Sequence, residues 1–265
     1  MKFLRAGAVV LCLIPATWAQ EVPEREVLST SSEIVIDGVL DDKAWKVAEE
    51  VSLVEAVEGS PLPEDISTYT KMLWDDENLY VAFICSDPDI WGTLTQRDSH
   101  LWEEEVVEVF LDPDGDGMNY AELEVSPNNT VVDLKIVSIK PWKSEIGWNM
   151  EGLQTAVLVR GTVNRRDDLD EGWTVEMAIP WASLSDVPGA TGGPPEDGTS
   201  WRGNLYRIER PLGKDWVLMA WSPVGRPAFH TPEKFGILKF LVAPPAVRGT
   251  TWGDVKFTFL KEGRP

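Results

Sequence analysis

An all-β fold, an antiparallel β-sandwich with one or two short helices, is what three features of this 265-residue sequence predict. Helical periodicity is scarce. Short β-rich runs recur instead, and many alternate polar with apolar residues, as in Trp173-Thr-Val-Glu-Met-Ala-Ile179, the period-2 pattern of a strand with one buried face. The segments between the runs carry turn chemistry: Ile36-Asp-Gly38, Asp75-Asp-Glu-Asn78, Pro113-Asp-Gly115 and Val187-Pro-Gly189. Closely spaced short strands with such turns favour a sandwich over any helical architecture.

Taken in order, strands are expected at 33–36, 69–74, 79–85, 106–111 and 121–125, then at 131–139, 153–159, 173–179, 201–208 and 236–241. Asp41–Glu49 and Trp181–Leu184 can each form a turn or two of helix, and the first opens with acidic residues that suit the helix dipole. Ser185–Ser200 (SDVPGATGGPPEDGTS) reads as a Gly/Pro-rich loop of a length typical of disorder or of a functional lid. Residues 20–243 form a single domain in this reading. The proline-rich Ala243-Pro-Pro-Ala246 begins a tail, 244–265, in which Val255–Leu260 can add one strand.

Residues 1–19 read as a cleavable signal peptide: Lys2 and Arg5, a short apolar run to Ile14, the breaker Pro15, then Thr17 and Ala19 before the cleavage point. A lipoprotein signal at Cys12 lacks the small residue such signals place before the cysteine. The chain is therefore expected to be secreted or periplasmic. No later segment approaches the ~20 apolar residues of a membrane-spanning helix, so no membrane insertion is expected.

There are 44 Asp+Glu against 24 Lys+Arg, for a net charge of −20. Removal of the leader takes away Lys2 and Arg5 and leaves −22. Such a surface repels nucleic acids and anionic lipids. Cys85, in an apolar run, is the one cysteine outside the leader and reads as a buried, inert thiol.

The chemistry-bearing motifs are few. His-Glu-x-x-His, Gly-x-Ser-x-Gly and a phosphate-cradling glycine loop are all missing, and abundant carboxylates make any one glycosidase-like pair uninformative. The turn Asp112-Pro-Asp-Gly-Asp-Gly117 is sharper. Asp112, Asp114 and Asp116 alternate before a glycine, like the first half of a calcium loop, although Leu123 stands where the bidentate Glu belongs, with Glu122 and Glu124 beside it. Asp112, Asp114, Asp116 and Glu122 are the expected ligands of a structural Ca²⁺; the alternative is an ordinary Asp/Gly hairpin turn.

The order of several motifs resembles the family-9 carbohydrate-binding modules, within the sugar- or haem-binding β-sandwiches grouped as DOMON-like. The motifs are Ile36-Asp-Gly-Val-Leu-Asp41 with Ala44-Trp45, Trp74-Asp-Asp-Glu-Asn-Leu-Tyr-Val-Ala-Phe83 with Ser86-Asp-Pro88, and Leu101-Trp-Glu-Glu-Glu-Val-Val-Glu-Val-Phe-Leu-Asp-Pro113. Trp173-Thr-Val-Glu-Met-Ala-Ile-Pro-Trp181, Trp201-Arg-Gly-Asn-Leu-Tyr-Arg-Ile-Glu209, Trp221-Ser-Pro, Phe229-His-x-Pro and Phe235-Gly-x-Leu follow. The resemblance spans about residues 33–241. It implies a jelly-roll or immunoglobulin-like sandwich that grips a sugar between tryptophans, with calcium supporting the fold. It also implies a stand-alone secreted relative of modules attached to polysaccharide-degrading enzymes, which become possible partners in polysaccharide catabolism.

The 13 tryptophans exceed both Phe (8) and Tyr (4). Trp45, Trp74, Trp173 and Trp201 fit core or rim positions. Trp91, Trp102, Trp142, Trp148, Trp216 and Trp221 stand in polar contexts where indole is a natural platform for the C–H face of a sugar. One stacked face covers ~80 Å² and is worth ~2 kcal/mol, so two rings give only about millimolar affinity and polar partners are required. The expected ligand-binding set is Trp102, with Trp216 or Trp221, and Trp91, Arg97, Asp98, Glu103, Asn204 and Arg207. For Glu105 and Glu108, support of the fold is an equal reading.

Three other functions fit the sequence: a haem-b electron-transfer protein using Met118, Met150, His100 or His230, a glycoside hydrolase acting on xylan or cellulose, and a structural envelope protein.

Overall fold

A computed structural model describes residues 22–244. The leader at 1–19 and the possible strand at 255–260 lie outside the described residues. Among the described residues, fourteen strands form one strongly curled sheet. They are β1 (Glu24–Ser29), β2 (Val51–Ser52), β3 (Val54–Glu55), β4 (Thr68–Trp74), β5 (Asn78–Ser86), β6 (Val106–Asp112) and β7 (Tyr120–Val125). Then come β8 (Val131–Ile139), β9 (Trp142–Glu145), β10 (Gln154–Arg160), β11 (Gly172–Pro180), β12 (Ser200–Glu209), β13 (Val217–Ala220) and β14 (Gly236–Leu241).

The hydrogen-bonded order is β10-β11-β5-β4-β1-β14-β12-β6-β7-β8-β9, and the curl brings the two ends face to face as a sandwich. Between the layers lie Val81, Phe83, Val175 and Met177 from one side and Val107, Val109, Leu123 and Val125 from the other. All-β architecture thus agrees with the sequence. The pairing is mixed, however: β1 runs parallel to both β14 and β4, closing the two layers along one edge.

Nine of the ten expected strands are present. Glu33–Ile36 is the exception. The Asp42 carboxylate takes the amide of Val35 (2.9 Å), and Ile34 and Ile36 pack on the outer face of β4 and β5 beside Trp45. The strands that the sequence does not advertise are short or polar, like β9 (Trp-Lys-Ser-Glu), which is exposed throughout and shows no buried stripe. The two expected helices are single 3-10 turns, at Ala44–Lys46 and Trp181–Leu184.

Two motifs of the sequence close this frame. Glu176 of β11 accepts hydrogen bonds from the amides of Asp37 and Gly38 (3.0 and 2.8 Å) and from Trp45 Nε1 (2.7 Å), fastening the N-terminal segment across the sheet. The long loop after Trp181–Leu184 is held down as well. Val187 is buried, and Gly189, at φ +84°, passes so close to Asp114 that a Cβ would lie 2.6 Å from its amide nitrogen.

Candidate functional site

Strand alternation gives β6, β7 and β12 two faces. Val107, Val109, Leu123 and Leu205 point into the sandwich, while Val106, Glu108, Phe110, Tyr120, Glu122, Glu124 and Tyr206 point the other way. That outer face carries a second apolar cluster around Phe110, Tyr120 and Phe235, and beside it a cleft of about 880 Å³ opens. Its floor is Glu108, Glu122 and Glu124. Its walls come from the turn before β6 (His100, Trp102), from β9 (Trp142, Ser144), from the start of β13 (Trp216, Leu218) and from the Pro227–His230 loop.

The walls are built to hold shape. His100 stacks on Trp102 at 4.5 Å between ring centroids. The Arg210 guanidinium lies against the ring of Trp216 and donates to the Trp102 carbonyl (3.4 Å), linking the two loops that carry the indoles. Trp142 meets His230 edge-on at 4.6 Å, and His230 Nδ1 shares a 2.7 Å hydrogen bond with the Tyr120 hydroxyl. Trp142 and Trp216 remain about half exposed (54% and 53%), which a purely structural role does not require.

The floor is electrostatically unusual. Glu108 and Glu124 stand directly opposite each other across the β6–β7 ladder, with Glu122 on the diagonal, and their carboxylates come within 4.8 Å of one another. Like charges so placed repel. Burial, and next the neighbouring carboxylate, push all three well above the usual carboxylate range. Glu122 Oε2 and both oxygens of Glu124 receive no hydrogen bond from any donor group of the described residues; the Trp102 amide approaches Glu124 without reaching hydrogen-bond geometry, and Glu122 and Glu124 lie close enough to share a proton. The nearest basic group is His230, whose Nε2 lies 3.8 Å from Glu122 Oε2, and burial lowers its pKa to about 4, so it is neutral at pH 7.

Of the residues read from the sequence, the structure brings Trp102 and Trp216 together in this cleft. Trp221 is a correction: it is 6% exposed, packs under the Arg25 guanidinium and presses on Gly236, where a Cβ would lie 2.4 Å from its ring. Asn204 and Arg207 are corrections too. Asn204 is fully buried and bridges to the Ser222 backbone, donating to its carbonyl (2.8 Å) and accepting from its amide (2.9 Å). Arg207 is 0% exposed and donates to Asp87 (2.9 Å), Glu209, Thr68 Oγ1 (3.0 Å) and the Ser86 carbonyl (2.8 Å). Arg207 follows the strand alternation into the interior beside Val107, whereas Asn204 shares the outer face with Phe110 and is covered there by the Ser222 backbone, so both are out of reach of a surface ligand.

Trp91, Arg97, Asp98 and Glu103 lie near the cleft in sequence but do not line it. Trp91 donates its amide to Glu105 (2.8 Å) and stacks under Arg166. Arg97 pairs with the buried Asp133 beside a separate shallow depression. Asp98 occupies a left-handed turn (φ 64°), and Glu103 is exposed beside His100. Glu104 holds the 93–94 loop by accepting the amides of Thr93 and Leu94 (2.9 Å for the latter).

At the acidic turn, Asp112, Asp114 and Asp116 point carboxylate oxygens to one place, within 4.8 Å. Burial, opposed by the Gly117 amide and reinforced by Asp114 and Asp116, raises Asp112 to about 6. These hard oxygens, three on one turn, fit Ca²⁺. Glu122 is a correction: its strand carries it to the cleft floor instead.

The residues that sequence reasoning missed at the cleft are Glu124 and Arg210, and Glu108 was left undecided. One signal existed. Glu122 and Glu124 share a strand face with Tyr120, as Glu108 does with Phe110, so carboxylates recur where alternation calls for apolar residues.

The family model for the carbohydrate family 9 binding domain-like family matches residues 36–241 of this chain. Endo-1,4-beta-xylanase A of Thermotoga neapolitana is 26% identical over 211 residues, 78% of this chain and 17% of the xylanase. Exoglucanase XynX of Acetivibrio thermocellus is 24% identical over 236 residues, 86% of this chain and 18% of that enzyme. The chain therefore spans less than a fifth of the curated relatives it matches. Among solved structures, a carbohydrate-binding module of family 9 from Caldicellulosiruptor kristjanssonii in complex with cellotriose superposes with a TM-score of 0.58 at 19% identity, covering 84% of this chain and 97% of that one. At this identity the superposition speaks for the fold alone.

Proposed function

Since the chain belongs to the carbohydrate family 9 binding domain-like family and so binds saccharide, we propose that the cleft between the Trp102 and Trp216 loops is where the sugar sits. The observation that carries this reading is the pair of accessible indoles in one cleft, tied together by Arg210, above a floor of acceptors. Indole stacks on the C–H face of a pyranose, and carboxylates accept from its hydroxyls. Binding without hydrolysis fits the floor. A glycosidase pair must flank the scissile bond, whereas Glu108, Glu122 and Glu124 lie side by side on one sheet face and meet a ligand from one direction.

Three further elements belong to the proposal. Ca²⁺ held by Asp112, Asp114 and Asp116 would neutralise the acidic turn and stiffen it. Export rests on the leader-like residues 1–19. An association with polysaccharide-degrading enzymes draws on the xylanase and exoglucanase relatives.

Cellotriose and xylotriose titrated into the full chain, followed by calorimetry, test the site. Trp102→Ala and Trp216→Ala are each expected to weaken binding by about tenfold or more, the loss of one stacked face. Both variants should melt within a few degrees of the wild type. Undiminished binding in both would sink the assignment of the cleft.

A further inference from the structure

We infer that the saccharide this cleft takes carries a free ammonium group, that is, an amino sugar and not a neutral one; the inference rests on the saccharide reading above. Three carboxylates form the floor, and three of their oxygens, Glu122 Oε2 and both of Glu124, are buried and receive no hydrogen bond from any donor group of the described residues. Among the described residues no Lys or Arg lines the cleft; Arg210, against the Trp216 ring, has Glu103, Glu104 and Glu105 as its acidic neighbours and not the floor.

Elsewhere the same molecule handles such a group differently. Asp87, Glu105 and Glu209 are equally buried and equally close, and the protein places the Arg207 guanidinium among them. At the cleft no described Lys or Arg supplies the cation, and the carboxylates face an opening where a ligand can supply it. Unpaired buried carboxylates are costly, and an ammonium with three donors is their natural complement.

The walls choose between kinds of cation. Trp102, Trp142, Trp216, Leu218 and Phe229 surround the floor with apolar surface. A hydrated metal ion gains nothing from such walls. A sugar ring stacks on them, and indole attracts a nearby ammonium through its π-face. An N-acetylated sugar lacks the charge, and a uronic acid carries the wrong one.

The test compares three trisaccharides with the full chain at pH 6.5, below the ordinary range of amines. They are β-1,4-linked glucosamine with free amines, its fully N-acetylated form, and cellotriose. The amine form is expected to bind about tenfold or more tighter than cellotriose, the scale of one charge-assisted hydrogen bond. Glu124→Gln and Glu122→Gln should each collapse that ratio towards one. Both substitutions remove a buried ionisable group that has no counter-charge, so melting at or above the wild-type midpoint verifies folding; if either variant fails to fold, the wild-type ratio decides. Cellotriose or the N-acetylated sugar binding as well as the amine form would overturn the inference and leave the saccharide reading intact. Retention of none of the three would overturn both. Calcium or manganese binding that Glu124→Gln abolishes, with no preference for the amine, would also overturn it and identify a metal site.

Discussion

Two sets of buried acids a few residues apart in sequence follow opposite rules. Glu105 and Glu209, with Asp87, lie on the inner side of the sheet around Arg207, which donates to Asp87 and Glu209 and spreads its hydrogen bonds over Thr68 and the Ser86 carbonyl. Trp173 Nε1 adds a further donor to Asp87 (3.1 Å). Glu108, Glu122 and Glu124 lie on the outer side with no Lys or Arg among the described residues that line their cleft. Burial and its acidic neighbours lift Glu105 to about 10, so even the compensated group is strained towards neutrality. The first set holds two layers together. The second is left open to a ligand. Parity sends Glu105, just before β6, and Glu108, three residues on, to opposite faces, and Arg207 lies on only one of them.

The largest effect expected from breaking this contrast is at Arg207. Arg207→Met fits the volume but strands Asp87 and Glu209 without their cation, and should lower stability by about 3–5 kcal/mol. For a domain of this size that is a fall of ~10 °C in melting midpoint. A midpoint within ~2 °C of wild type would show that the acids there need no counter-charge.

A smaller, oppositely signed effect is expected at the cleft. Burial favours the protonated forms of Glu108, Glu122 and Glu124 in the folded state, whereas the unfolded chain releases those protons around pH 4.5, so their contribution to stability falls as pH rises through and above that value. Glu124→Gln removes one such group. It should therefore gain about 1–3 kcal/mol on the wild type between pH 5 and pH 8, read from urea unfolding at several pH values. A gap that does not widen with pH would refute the account of an uncompensated floor.

The smallest effect concerns the acidic turn. Calcium should raise the melting midpoint by about 2 °C over chelator, and Asp114→Asn should abolish the shift. Equal midpoints with calcium and chelator would make Asp112–Gly117 an ordinary turn.

Much of the frame was readable because packing follows the alternation of side chains. Trp45, Trp74, Trp173 and Trp201 are buried as their strand or near-strand settings suggest. What misled was a loop-like local context. Trp221-Ser-Pro looks like a turn, yet the curl of the sheet lays Gly236 and Arg25 against its ring. Asn204 and Arg207 looked like ligand-binding residues because they stand in the motif at 201–209 that carries the resemblance; Arg207 is instead the partner of acids buried between the layers, and Asn204 a clamp on the Ser222 backbone. Glu122 looked like a calcium ligand by its distance along the chain, but the β6–β7 turn directs Asp112–Asp116 to one place and the strand carries Glu122 to another.

The sequence by itself determined the all-β class, nine of the ten strands it advertised and the parity of each side chain, since these depend on local period and turn chemistry. The tertiary structure decided which face of β6 and β7 stays open, which acids meet an arginine and which tryptophans remain accessible. Those outcomes depend on segments remote in the chain, the β13 approach, the Pro227–His230 loop and the parallel β1–β14 closure, and no local pattern records what will cover a face.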